Sequence, residues 1–146
     1  MADEWRDQRR DAAEAQAVRA ERARADDVAR ARELVTAFVA EAVRRKLTMT
    51  SLRARAGDTA RTYRTGLVGW YLRRDGSLAV ADDGELYVLT VPRSLRSVLV
   101  GVRPVPTDPR LQAGIGARDG ESVALATLLD LRLAAGDLWT LTGRGA

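Results

Sequence analysis

The sequence contains neither cysteine nor histidine. Disulfide bonds are therefore excluded, and so are the Ser-His-Asp triad and the Cys-His pair of nucleophilic catalysis. A transition-metal site would need carboxylate ligands alone, which suit zinc and its relatives poorly. We accordingly expect no cofactor. Enzymatic activity is the least favoured hypothesis, because the common nucleophile–base pairs cannot be assembled from these residue types.

Long apolar runs and aromatic side chains are also scarce. No stretch approaches the roughly 18 apolar residues of a membrane span. Residues 1–10 include six charged side chains and no apolar run, unlike a signal peptide. We therefore expect a cytoplasmic protein without a membrane partner. Aromatic residues make up 5% of the 146-residue chain, so a core built mainly from Leu, Val and Ala is predicted.

Positive charge is concentrated in one segment, which we call the basic block (residues 44–74). The block has a net charge of +8, whereas residues 1–43 and 75–146 each carry −2. Such a block is typical of proteins that neutralise nucleic-acid phosphates, and its aromatic residues could stack on unpaired bases. The alternative is a solvated or partner-facing surface with scattered arginines. The candidate nucleic-acid residues are Arg44, Arg45, Lys46, Arg53, Arg55, Arg61, Arg64, Arg73 and Arg74.

Glycine and proline are absent from residues 3–47, where Ala, Arg and Glu predict one long helix. A helix of that length spans roughly 65 Å at 1.5 Å per residue, so part of it should project. Large apolar residues are sparse in residues 1–33, which we expect to be solvated or to form a weak coiled coil. They are frequent in residues 34–47, which we expect to dock.

An apolar stripe on the second part of this helix is the candidate association surface. Its residues are Leu34, Val35, Phe38, Val39 and Ala42. The leading functional hypothesis is a non-enzymatic interaction, scaffold or adaptor protein that self-associates through this helix or joins a larger protein assembly. The alternatives are that the helix folds back on its own domain, or that the protein binds nucleic acid through the basic block.

Residues 48–66 are predicted to be a basic connection, with Ser51 capping a short helix. Residues 67–146 are predicted to be an α+β globular domain. The expected fold class is α+β: a long N-terminal helix, an antiparallel meander of three to five strands, and a C-terminal helix packed on the sheet. The later elements are a fourth strand at 97–102, a helix over 122–135 ended by Gly136, and a tail that packs back.

Two Asp-Gly pairs, at residues 75–76 and 83–84, predict the turns of the meander. If both are two-residue turns, Leu72 lies opposite Ala79 and Ala81 lies opposite Leu86. Both faces of this sheet are apolar, which is unusual when one face meets water. The sheet should therefore be covered on both sides, by its own helices or by a second subunit.

Two further segments have a functional and a plain interpretation. Asp82, Asp83 and Glu85 could hold Mg²⁺ or Ca²⁺ or act as an acid–base pair, but the chemistry of a hairpin turn accounts for them without a ligand. The glycine-rich segment 114–120 could cradle a phosphate, with Arg118 as the residue to test. It lacks a P-loop signature, so a plain loop is favoured.

Overall fold

The computed structural model of the chain describes residues 1–56, 61–91, 101–112 and 124–142. It confirms the α+β prediction, with a long N-terminal helix, a five-stranded and mostly antiparallel sheet, and a C-terminal helix. The elements are α1 (Ala2–Arg44), β1 (Thr50–Ala56), β2 (Thr62–Tyr71), β3 (Leu78–Ala81), β4 (Leu86–Val88), β5 (Thr90–Val91), α2 (Leu125–Ala135) and a 3-10 turn (Gly136–Leu138).

Helix α1 is solvated in its first part and docked in its second. Every residue from 1 to 26 is exposed. The buried positions Ala31, Val35, Phe38 and Ala42 recur at intervals of three and four, so they lie along one helical face that packs on the sheet. The helix ends at Arg44, and Lys46, two residues beyond it, has a φ of 56° in the left-handed region.

The sheet curls until its two edges meet. The strand order is β4-β3-β2-β1-β5, which places β4 and β5 at opposite edges, yet only Leu89 separates them in sequence. The Leu89 N–H donates to the Ser77 carbonyl at 2.8 Å, and its own carbonyl accepts from the Arg55 N–H at 2.6 Å. Leu89 therefore connects the two edges of the sheet and closes it into a small barrel. The Leu89 side chain is fully buried.

A bulge in β2 contributes to this curvature. The register between β1 and β2 shifts after Ser51, so that Leu52 lies opposite the three residues 65–67. Gly66 adopts a φ of +74° there. The Thr65 hydroxyl donates to the Leu52 carbonyl and accepts from the Leu67 N–H, which satisfies the backbone groups that the bulge would leave unpaired.

The predicted hairpin registers are wrong by one residue. Tyr71 lies opposite Ala79, and Ala79 lies opposite Tyr87. Both loops are longer than two residues: the first spans 73–77, and the second spans 82–84 with Gly84 at a φ of +81°. The Asp-Gly pairs do lie in the turns, but they occupy a five-residue and a three-residue loop instead of two-residue turns.

This shift moves the side chains of β3 to the opposite faces from those predicted. Leu78 and Val80 join Trp70 on the outer face, whereas Ala79 and Ala81 point inward. The outer core, which α1 and α2 cover, consists of Ala31, Val35, Phe38, Ala42, Leu47, Trp70, Leu72, Leu78, Val80, Leu86, Leu125 and Leu129. The inner core consists of Leu52, Tyr71, Ala79, Ala81, Tyr87 and Leu89, with Trp139 and Leu141 packed against it. Both apolar faces are thus covered within one chain.

Arg132 on α2 ties the helix to the barrel. Its side chain is buried, and its Nε donates to the Tyr71 carbonyl at 2.9 Å while Nη1 donates to the Gly136 carbonyl at 2.8 Å. Burial lowers the pKa of this guanidinium. Its charge lies 4.8 Å above the ring of Trp139, which in turn stacks on Tyr71. The predicted tail packing is confirmed for Trp139, whereas Leu138 is 90% exposed.

Three other local predictions were a short helix after Ser51, a helix end at Gly136 and a strand at 97–102. The short helix after Ser51 is wrong, because residues 50–56 form β1, whose side chains alternate in burial with the period of a strand. Gly136 follows α2 with a φ of 56°, as expected of a helix-ending glycine. The predicted strand at 97–102 lies outside the described residues except for its last two positions. Among the described residues, no helix is both long and apolar enough to cross a membrane.

Candidate nucleic-acid interface

The outer side of the β1–β2 hairpin carries three arginines, Arg53, Arg55 and Arg64. Strand alternation turns Leu52, Ala54 and Ala56 inward, where they are buried, and turns Arg53 and Arg55 outward. On β2, Arg64 is exposed and Thr62 is partly exposed. Among the described residues, the helices cover the part of the outer face that carries Trp70, whereas Arg53 and Arg55 are partly exposed.

Two arginines lie directly opposite each other on this hairpin. Arg53 and Arg64 are cross-strand partners, and Arg55 pairs with Thr62 one step along the ladder. Directly paired residues have Cβ atoms about 4.5–5.5 Å apart, and diagonal neighbours such as Arg55 and Arg64 are about 7–8 Å apart. Like charges in direct opposition destabilise a sheet. We name Arg53, Arg55 and Arg64 the arginine ladder.

The described residues supply no carboxylate to Arg53 or Arg64. The Arg53 side chain donates instead to Thr62, through Nε to the hydroxyl at 2.8 Å and through Nη2 to the carbonyl at 3.3 Å. These bonds fix the direction of the Arg53 guanidinium without neutralising its charge. In Arg55, Nη1 donates to the Asp75 carbonyl at 3.3 Å. Neutral oxygen atoms thus orient Arg53 and contact Arg55.

A third segment lies beside the ladder. The Val102 N–H donates to the Arg64 carbonyl at 2.8 Å, so residues 101–103 run next to β2. A Cβ on Gly101 would stand 2.8 Å from the same carbonyl oxygen, and Gly101 has a φ of +78°. Glycine at 101 is thus required for this approach. The approach brings the exposed Arg103 to the neighbourhood of the ladder.

The other residues of the basic block lie elsewhere. Arg44 and Arg45 both bond to Glu41, at distances of 2.6–2.9 Å. These bonds, with that to Arg44 the stronger cause, lower the pKa of Glu41 to about 2. Lys46 is exposed at the end of α1. The nine predicted residues therefore do not form one surface, because the chain reverses direction at 44–50 and again at 72–78.

Arg73 and Arg74 lie at the loop between β2 and β3, and Arg61 immediately precedes β2. The Arg74 guanidinium is 5.8 Å from the ring of Trp139 and donates to the Thr140 carbonyl at 3.5 Å. Arg61 is exposed next to Thr62. Of the basic block, the structure brings together Arg53, Arg55 and Arg64, with Arg61 at the end of the same hairpin.

The aromatic residues of the basic block are not available for base stacking. Tyr63, Trp70 and Tyr71 have exposed fractions of 5%, 1% and 3%. Trp70 meets Phe38 edge to face in the outer core, and the Tyr71 hydroxyl accepts from the Arg53 N–H. The idea that these rings stack on unpaired bases is therefore wrong for the folded chain. The arginine ladder presents charge without exposed rings.

The residues predicted as an association surface belong largely to the core of the chain. Val35, Phe38 and Ala42 are at most 2% exposed, and Leu34 and Val39 pack partly buried against the same core. Their apolar stripe packs on the sheet of its own domain because the helix folds back there. In the folded chain this stripe is not a free surface, so association through α1 would use its exposed residues, which include all of 1–26.

The acidic residues of the β3–β4 turn make contacts within the chain. The Asp83 carboxylate accepts from the Glu85 N–H at 2.8 Å and from the Tyr87 hydroxyl at 2.7 Å. Burial, with the Asp83 hydrogen bond second, raises the pKa of Tyr87 to about 12. Glu85 faces Arg32 at 3.5 Å. This geometry agrees with a turn, and no group of three or more metal-ligating side chains occurs in the described ranges.

The glycine-rich segment 114–120 and its Arg118 lie outside the described residues.

Sequence reasoning missed the pairing of Arg53 with Arg64, because that pairing depends on the bulge in β2. The alternation of small apolar residues with arginines at 52–56 was the sequence signal that could have identified strand β1.

Comparison with known proteins adds no relative: the chain matches no known protein family, no curated protein and no solved structure.

Proposed function

We propose that this protein binds the phosphate backbone of double-stranded nucleic acid through the arginine ladder, without reading its sequence. The observation that carries the proposal is the direct opposition of Arg53 and Arg64 on the outer side of the β1–β2 hairpin, where Arg64 is exposed and Arg53 is partly exposed. A sheet tolerates such a pair at a cost in stability, and bound phosphates would relieve it by replacing repulsion with charge-assisted hydrogen bonds.

The absence of exposed rings on this face favours a duplex over a single strand. Single-strand binders combine positive charge with aromatic platforms for unstacked bases. Tyr63, Trp70 and Tyr71 are all buried, so the ladder has only guanidinium groups to offer. Contacts from arginine to phosphate position a protein but carry no sequence information. We therefore expect non-specific affinity, with a Kd of about 10⁻⁴ to 10⁻⁶ M at physiological salt.

Fluorescence anisotropy with labelled 20-base-pair duplexes of unrelated sequence tests this proposal. The double variant Arg53→Gln/Arg64→Gln should weaken binding to every duplex by a similar factor. The charge-matched control Arg30→Gln/Arg110→Gln changes two exposed arginines outside the basic block and should bind like the wild type. Equal losses in both double variants would show that net charge, and not the ladder, attracts the nucleic acid.

A second proposal is that the protein is a non-enzymatic scaffold that self-associates through the exposed part of α1. The observation that favours it is the charge pattern of residues 1–26, which we call the rod. Residues 1–14 carry a net charge of −2 and residues 15–24 carry +2. Two rods placed antiparallel would set the acidic segment of each against the basic segment of the other. Such a pair gives residues 1–26 a contact that they lack in the monomer.

Sedimentation equilibrium across micromolar concentrations tests self-association. The full chain should dimerise more weakly as salt rises, because the proposed contact is electrostatic. The variant Arg19→Glu/Arg22→Glu removes the basic segment of the rod and should be monomeric. A full chain that stays monomeric at low salt, or a dimer that this variant leaves intact, contradicts the second proposal and leaves the first unaffected.

A further inference from the structure

Strand β1 is paired along most of its length on one side only. Toward β2 it pairs from Thr50 to Arg55, whereas toward β5 only its last two residues pair. The Val68 carbonyl, opposite Ser51, accepts from the Asp82 N–H, so Val68 directs its backbone groups toward β3. Ser51 therefore directs its own N–H and carbonyl away from β2, toward the other edge of β1.

The ladder between β1 and β5 stops at Arg55, because the chain turns away from β1 at that point. The Arg55 N–H donates to the Leu89 carbonyl at 2.6 Å. The Leu89 N–H, which stands next in line for the Arg53 carbonyl, donates to the Ser77 carbonyl instead. The Arg53 N–H is held by a side chain, since it donates to the Tyr71 hydroxyl at 2.8 Å. Backbone pairing on this side of β1 therefore ends between Arg53 and Arg55.

The first part of β1 thus has an unpaired edge, which we call the free edge (residues 50–53). Within the described ranges, the Ser51 N–H, the Ser51 carbonyl and the Arg53 carbonyl have no backbone partner. Thr50 and Ser51 are exposed, and Arg53 is partly exposed. Unpaired backbone groups at an accessible edge are a template for a further strand, and extended peptides bind sheets in this way.

Positive charge lies beside the free edge. Thr62 holds the Arg53 guanidinium through Nε and Nη2, and Nη1 has no partner among the described residues. Arg64, the cross-strand partner of Arg53, adds a like charge on the side away from the edge. A carboxylate opposite Arg53 on an added strand would be attracted by both arginines. Asp137, which accepts from the Thr48 N–H at 2.9 Å, disfavours an acidic side chain at the other end of the edge.

We propose that the free edge binds an extended acidic segment of a partner protein, added as a strand antiparallel to β1. One residue of that segment exchanges two hydrogen bonds with the N–H and carbonyl of Ser51. The residue two positions earlier lies beside Arg53 on the outer side, where an aspartate or glutamate forms an ion pair. Tyr71 already holds the Arg53 N–H, so the added strand ends there. A second copy of β1 fits less well, because it would bring two basic hairpins together.

Titration with a capped six-residue peptide of alternating Glu and Val, followed by the amide chemical shifts of Thr50 and Leu52, tests the proposal. A peptide that gains two backbone hydrogen bonds and one ion pair should bind with a Kd of about 1 mM. The same peptide with Lys in place of Glu should bind at least roughly tenfold more weakly.

Two N-methylated forms of the acidic peptide provide a matched pair. In the proposed register the glutamates share the outer side with Ser51, so their N–H groups face β1 and the valine N–H groups face away. Methylation of the glutamate nitrogens should weaken binding at least roughly tenfold, whereas methylation of the valine nitrogens should leave it unchanged.

Ser51→Pro removes the donor from the protein side and keeps every arginine. Proline is tolerated on an edge strand where the N–H faces outward, so the variant should fold and bind the peptide at least roughly tenfold more weakly. Ser51→Ala keeps the N–H and should bind like the wild type. Arg53→Gln should weaken peptide binding about fivefold.

Four results would overturn the proposal: no amide shifts at 10 mM peptide, equal affinity for the lysine peptide, equal affinity for the two methylated forms, or a folded Ser51→Pro protein with unchanged affinity. If Ser51→Pro does not fold, the methylated pair decides. Duplex binding by the arginine ladder does not use the Ser51 N–H, so folded Ser51→Pro should bind duplex like the wild type. The peptide and duplex proposals therefore fail independently.

Discussion

Gly69 is the position at which the fold tolerates a side chain least. A Cβ built there stands 2.1 Å from the Val80 carbonyl oxygen and 2.6 Å from the Ala81 Cα. Both atoms belong to the backbone of β3, which is paired with β2 at this point. Since neither atom can rotate away, relief requires the two strands to separate by about 1 Å. Gly69→Ala should therefore break the central strand pair of the sheet locally.

The expected cost is the sum of two effects. Forcing an extra methyl group into a packed site costs about 1–3 kcal/mol, and a contact with backbone belongs at the upper end of that range. Each weakened ladder hydrogen bond adds about 0.5–1.5 kcal/mol. We expect Gly69→Ala to lower the free energy of unfolding by about 3–4 kcal/mol, a large share of the 5–15 kcal/mol that is typical of a domain.

Urea unfolding followed by circular dichroism measures this difference. The control is Gly66→Ala on the same strand, where a Cβ meets nothing within 4 Å but the φ of +74° disfavours alanine. That control should cost only about 1 kcal/mol of backbone strain. If Gly69→Ala costs no more than Gly66→Ala, the close approach of β2 to β3 is wrong, and so is the register that places Gly69 opposite Ala81.

Three further predictions concern the barrel and the rod. The pKa of Tyr87 is raised to about 12, so its contribution to stability is present below the unfolded-state pKa near 10 and is lost as the pH rises through 12. The difference in absorbance at 295 nm between the wild type and Tyr87→Phe, followed against pH, should have its midpoint near 12. A midpoint near 10 would contradict the burial of the Tyr87 hydroxyl. Arg132→Met should lower the free energy of unfolding in urea by about 1–3 kcal/mol, because it leaves the Tyr71 and Gly136 carbonyls without a donor. An unchanged urea midpoint would show that water replaces the guanidinium. Removal of residues 1–26, which are exposed, should leave the urea midpoint of the domain within error at a concentration where the full chain is monomeric; a marked fall would show that the rod packs on the domain.

Much of the fold follows from local sequence signals. The absence of glycine and proline before residue 48 predicted α1, and the Asp-Gly pairs located the turns of the meander. The apolar residues on both sides of the meander indicated that both faces are covered. What local signals could not supply was the loop length, because an Asp-Gly pair fits two-, three- and five-residue loops alike. A shift of one residue in each strand register was enough to exchange the faces of Leu78 and Ala79.

The closure of the barrel was beyond sequence reasoning for a different reason. It depends on Leu89 pairing with chain segments on both sides of it, Ser77 before it and Arg55 much earlier. Such contacts are non-local, and no periodicity encodes them. The β1 strand was missed because its alternation of Leu52 and Ala54 with arginines is short and its apolar residues are small. Its recognition would have turned the predicted basic connection into part of the sheet.

The candidate site, like the fold, could be predicted only in part from the sequence. Composition identified all nine basic residues of the block, but it could not say which of them share a surface. The bulge at Gly66 decides this, since it sets Arg64 opposite Arg53. The apolar stripe on α1 was recognised as a docking surface in the sequence, but its partner is the sheet of the same chain. Phe38 meets Trp70 there, 5.9 Å from ring centre to ring centre.

The measurement that tests the central proposal most directly is the salt dependence of duplex binding. The logarithm of the binding constant should fall linearly with the logarithm of salt concentration, with a slope of about −0.9 for each phosphate contacted. Arg53→Gln/Arg64→Gln removes two such contacts, so its slope should be shallower than that of the wild type by about 2, while the Arg30→Gln/Arg110→Gln control keeps the wild-type slope. A ladder variant with an unchanged slope, or a wild-type protein that does not bind duplex at low salt, would contradict the account.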